Sequence, residues 1–211
     1  MDKRKNDTGF DWYTFLALWI AVGGAVALLD ILLSSVLPHT LPIEFLQSSV
    51  GSIAYGVGMA FLSGALVGLA QQALLMYHWD IPVIQWWWVT AAGYALAQFI
   101  SVMILSTIVD NVPTANISQS TSLLIFILVT GAVGIVPAIL QATVLQRYID
   151  DMWQYVFAFV IGGIITVALM PLLTMAISKL VFGAVTGATL LWLANNTSDI
   201  PQVNTDSMTY S

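Results

Sequence analysis

Long apolar stretches, almost free of charge, alternate with short polar breaks along this chain. A helix rises about 1.5 Å per residue, so about 20 apolar residues cover a hydrocarbon core of about 30 Å. Segments of that length predict helices over about 12–37, 49–77, 82–109, 123–145, 153–172 and 174–194. The first holds Asp30 as its one charge, and the second and third hold none. The last two come from one run, 152–198, whose only charge is Lys179. That run is too long for a single span and is divided at Met170–Pro171–Leu172, because proline ends or kinks a helix. The pattern predicts an all-α polytopic membrane bundle of about six transmembrane helices in one domain, 12–194. A cytoplasmic segment, 1–11, precedes it, and a polar tail, 195–211, is expected to be disordered.

Six spans place both ends of the chain on one side. Lys3, Arg4, Lys5 and Arg147 fall on that side and Lys179 toward the other, so the positive-inside rule predicts cytoplasmic termini. The apolar run of helix one is longer than a signal peptide's h-region, so a retained helix is expected. Trp12, Tyr13, Trp86, Trp87, Trp88, Trp153 and Tyr155 mark the same cytoplasmic interface, where an amphipathic ring anchors best.

Composition narrows the class. Of 211 residues 59% are hydrophobic and 8% charged, the net charge is −6, and there is no Cys. Soluble domains carry about 25% charged residues. The balance excludes an ordinary cytosolic enzyme, a disordered chain and a nucleic-acid binder, which needs a basic footprint. Without Cys there is no disulfide framework, thiolate metal site or cysteine nucleophile.

Helices gain little by hiding Leu from lipid, and small residues that let backbones approach supply the association instead. Helix two carries Ser52, Gly56, Ala60, Gly64 and Gly68 at a spacing of four. Helix four has Thr130, Gly134, Ala138 and Ala142, and helix six has Gly183 and Gly187. These stripes are read as the tightly packed centre of the bundle, made by helices two, four and six. An offset of 70 residues aligns Gly23, Gly93 and Gly163, and also Gly64 with Gly134 and Gln71 with Gln141. It suggests three tandem helical hairpins, 10–78, 79–148 and 149–195.

The segments GALVGLAQQALLMYHWDIPVIQWWWVTAAGYALA and GAVGIVPAILQATVLQRYIDDMWQYVFAFVIGG, with the closing GAVTGATLLWL, carry a resemblance. Together they resemble a group of uncharacterised bacterial multi-pass membrane proteins that repeat a Gly-x-x-x-Gly-x-x-Gln helix, a basic turn and a Trp-rich helix. The resemblance covers most of 60–195 and departs at the turns, where Met76–Tyr77–His78 and Gln146–Arg147–Tyr148 replace a basic cluster. It implies a fold and a bacterial inner or internal photosynthetic membrane, but no established activity.

Ionisable groups within a bilayer are functional suspects by default. Asp30 has two readings, solvated near the outer interface or facing the bundle, with Lys179 the partner nearest in depth. Gln71, Gln72, Gln98 and Gln141 serve either as interhelical hydrogen-bonding glue or as a polar pathway. His39 and His78 fall on opposite faces and cannot share a metal, and no metalloprotease, nucleophile-elbow or phosphate-loop motif is present. Asp150 and Asp151 sit in a cytoplasmic turn, where a helix start favours negative charge.

Three functional readings follow. The leading one is a non-enzymatic structural, assembly or accessory subunit acting through helix contacts, with the bilayer and a membrane-protein partner or second copy as partners. The rival is a transporter or channel for a small solute or proton. Pigment or lipid binding is the third, and no particular cofactor is named by the sequence.

Overall fold

A computed structural model describes residues 12–79, 81–111, 119–169 and 175–197. Among these the secondary structure is helical: α1 (Trp12–Val36), a 3-10 turn (Leu37–His39), α2 (Ile43–Gln47), α3 (Ser49–Trp79), α4 (Trp86–Asn111), α5 (Gln119–Val133), α6 (Ile135–Leu145), α7 (Trp153–Leu169) and α8 (Met175–Asn196). The segment 1–11, the expected break at Met170–Pro171–Leu172 and most of the tail lie outside the described residues.

Among the described residues four stretches are long and apolar enough to cross a membrane: Trp12–His39, Ser49–Trp79, Trp86–Ile108 and Ile177–Asn196. The expected span 123–145 is two shorter helices that meet at Gly134. Pro137 explains the break, since its ring lacks an N–H and crowds the carbonyl four residues back, that of Val133, where α5 ends. Two other boundaries also differ from expectation. α4 begins at Trp86 rather than 82, because Pro82 lies in a turn closed by Val83 N–H to Ile81 O and Trp86 N–H to Val83 O. α8 runs through Asn196, whose side-chain amide donates to Trp192 O while the Thr197 hydroxyl donates to Leu193 O, satisfying terminal carbonyls.

Ser48 opens α3 as an N-cap, its Oγ accepting the Gly51 N–H at 2.9 Å. Neighbours in sequence run antiparallel, and each rod touches the next: α1 with α3, α3 with α4, α4 with α5 and α6, these with α7, and α7 with α8. α8 then returns to α1 as one of the most extensive contacts, closing a ring. We call proximal the end at which α1, α4 and α7 begin. There the core is densest: Phe15, Trp19, Leu75, Trp86, Leu145, Tyr155 and Leu190 are almost wholly buried, and Ile81, Val83, Ile149 and Met152 fold in from the turns.

The outward faces are the reverse of a soluble protein's. Leu28, Leu32, Leu62, Leu69, Phe99, Leu128 and Phe157 are exposed, whereas Gln71, Thr90, Gln141, Thr166 and Thr186 are buried. Apolar surface this extensive needs a covering, which fits a membrane protein.

Candidate functional site

The small-residue stripes lie between neighbouring rods, but not where expected. Helices two, four and six do not form a common centre: α3 packs chiefly on α4, α6 on α4 and α7, and α8 on α1 and α7. A Cβ on Gly68 would stand 2.6 Å from Trp87 Cα, and one on Gly64 2.9 Å from Ala91 Cα. Gly183 and Gly187 do the same for α8, against Ile20 Cα at 3.1 Å and the Trp19 ring at 2.8 Å. At Gly64 and Gly68 the facing α4 backbone leaves no room for a Cβ, whereas at Gly183 and Gly187 the fit is tight against α1 backbone and the Trp19 side chain. Gly56 is looser, with Gln98 Nε2 3.5 Å from the place a Cβ would take. Ala60 is half-buried, Ala138 is fully buried in the core, and Gly134 marks the α5–α6 break in a helical conformation rather than packing as a stripe. Gly93, outside the stripes, faces Pro137, whose Cα would stand 2.8 Å from a Cβ added at position 93.

Two polar clusters occupy the interior. In the distal half, Asp30 of α1 faces the bundle and pairs with Lys179 of α8, Nζ to Oδ2 3.1 Å. Ser63 of α3 donates its hydroxyl to the other carboxylate oxygen. The Asp30 side chain is 12% exposed and that of Lys179 24%, so the carboxylate is mostly covered and turned toward the bundle. The triad joins three rods at one point.

Toward the proximal end, Gln141 of α6 donates to Thr90 Oγ1 at 2.9 Å and accepts from the Tyr155 hydroxyl at 2.8 Å, linking α4, α6 and α7. Gln71 accepts from Trp86 Nε1 at 3.2 Å. Gln72 Oε1 accepts the backbone N–H of Trp87 at 3.3 Å, satisfying one of the open donors in the first turn of α4. Between the clusters, Trp19 Nε1 donates to Thr186 Oγ1 at 3.3 Å, tying α1 to α8.

Sequence reasoning missed Trp86 and Tyr155, which are buried hydrogen-bond donors rather than interface anchors. It also missed Ser63, Thr90 and Thr186. A usable signal was present: Trp86 and Tyr155 lie 15 and 14 residues after Gln71 and Gln141. Trp12, Tyr13, Trp88 and Trp153 are exposed, as interface anchors would be.

Among the described residues there is no group of three metal-ligating side chains. His78 stacks on Phe15, ring centroids 5.0 Å apart. Asp150 and Asp151 stand in the α6–α7 turn, Asp151 with φ of 55°, and the Asp150 N–H donates to Thr197 Oγ1 at 3.2 Å. A cavity of about 300 Å³ opens beside this turn.

Among the described residues these features define an all-helical bundle with four helices of membrane-crossing length and an apolar core that encloses a few hydrogen-bonded polar groups. No family model, curated protein or solved structure matches the chain.

Proposed function

We propose that the chain is an integral, multi-pass membrane protein with six spans, the α5–α6 rod and α7 completing the four long helices. Its role is that of a non-enzymatic structural, assembly or accessory subunit. The three-hairpin repeat belongs to the same reading. α3 meets α4 as α6 meets α7 and α8 meets α1, and Gln71–Trp86 and Gln141–Tyr155 recur at the first two of these contacts. In α8 the residue three beyond Gly187, as Gln71 is beyond Gly68, is the fully buried Leu190. GxxxG-type packing is the device that closes the ring, and both termini lie on the cytoplasmic side, the proximal end. The resemblance to uncharacterised bacterial multi-pass proteins agrees with this reading and adds no activity to it.

The observation that carries the reading is the proximal plug. Phe15, Trp86, Leu190 and the inward-folded Ile81 and Ile149 fill the end of the ring with apolar side chains. Of the polar-pathway residues Asp30, Gln71, Gln72, Gln98 and Gln141, all except Gln98 are bonded to a neighbouring rod. Crosslinking in native membranes should trap a protein partner or a second copy. A chain that stays solitary under gentle extraction refutes the role.

A transporter is the second reading, favoured by the Asp30–Lys179–Ser63 triad alone. Reconstituted vesicles decide it: solute or proton flux that is lost on Asp30→Asn would establish transport and displace the accessory role.

A further inference from the structure

The cavity between α6 and α7 changes chemistry along its length. Its floor is apolar, with Ile139 from α6 and the buried Val156 from α7. One to two turns nearer the proximal end come Thr143 and then Gln146, and the rim holds Asp150, Asp151 and Trp153. Neither carboxylate is paired among the described residues, and Trp153 is 68% exposed. The turn is held in place from below, since Ile149 and Met152 are buried and the Asp150 backbone is tied to Thr197 at the end of α8. Two carboxylates and no base among the lining residues repel an anionic head. Between floor and rim, the side chains of Thr143 and Gln146 offer hydrogen-bond donors to a phosphate. An indole face beside two carboxylates suits an ammonium ion.

We propose that this cavity seats a phospholipid whose headgroup ends in an ammonium. The acyl chain lies over Ile139 and Val156, the phosphate at the level of Thr143 and Gln146, and the ammonium between Asp150, Asp151 and Trp153. The order apolar, hydrogen-bonding, acidic follows the order of such a lipid from tail to tip, so charge complementarity selects the occupant. The proposal rests on the membrane reading and is independent of the choice between accessory and transport roles.

The test uses the full chain in nanodiscs of equal phosphatidylethanolamine and phosphatidylglycerol with matched acyl chains. Lipids retained after gentle release are counted by native mass spectrometry. The wild-type protein should retain the ethanolamine lipid over the glycerol lipid by about three- to fivefold, the size expected of an exposed charge pair. Asp150→Asn with Asp151→Asn should abolish the preference, and asparagine keeps the turn because it tolerates positive φ. Ile139→Trp, which fills the floor, should lower retention of both lipids. Retention at the bulk ratio by the wild type, or a preference that survives the paired substitution, overturns the site. Release of the protein from membranes by alkaline carbonate would instead overturn the membrane reading beneath it, so the two failures are distinguishable.

Discussion

Opposite charges drawn out of water are costly singly and tolerable together. Asp30 and Lys179 meet at 3.1 Å with most of both side chains covered, so removing one strands the other. Lys179→Met should therefore lower stability by about 3 kcal/mol, and the double change Asp30→Leu with Lys179→Met should recover most of it, as seen when buried pairs give way to apolar residues. Thermal unfolding in detergent micelles measures both. The glycines make a similar contrast. Gly68→Ala drives a methyl into Trp87 backbone and should cost about 1–3 kcal/mol, whereas Gly163→Ala meets open space and should be neutral or slightly stabilising. At this scale the sequence was partly legible. The isolation of Asp30 and Lys179 within long apolar runs made them each other's partner by depth alone. Ser63, Thr90 and Thr186 could not be singled out, because a hydroxyl in an apolar helix also satisfies itself on its own backbone, as Thr143 does on Leu140 O.

Among the elements, the divided fourth rod departs furthest from expectation. Counting charges sees apolarity and not backbone hydrogen bonds, so 123–145 reads as one span although Pro137 interrupts it. Pro137→Ala restores a donor that can reach Val133 O. The amide at position 137 should then exchange slowly with solvent deuterium while the packing on Gly93 is kept; rapid exchange there would show that the break has another cause. Helix existence was otherwise plain from the apolar runs. The direction of each small-residue stripe was not, because a spacing of four fixes a face but not the neighbour that covers it. Hence the stripes of α3 and α8 meet α4 and α1 instead of one another.

For the whole molecule, the return of α8 to α1 makes the ring nearly indifferent to which proximal turn is cut. The start of α1 and the end of α8 both lie proximally, as do the ends joined by the turn between Trp79 and Trp86. A circular permutant with residues 197 and 12 joined by a linker and opened within 80–85 should keep the helicity and detergent stability of the parent. One opened inside α3 should lose both. Circular dichroism with gel filtration reads the difference, and a permutant at 80–85 that aggregates would contradict the closed ring. Closure was not legible from sequence, since the contact spans nearly the whole chain and leaves no periodic mark beyond Gly183 and Gly187.

That closure has a consequence for how the protein is made. In the membrane reading proposed above, Asp30 is inserted 149 residues ahead of Lys179, and at ~5–20 residues per second the ribosome needs about 7–30 s to supply the counter-charge. Throughout that interval the nascent first span carries an unneutralised carboxylate. On that reading, α1 is expected to be held at the membrane until the final helix arrives with Lys179.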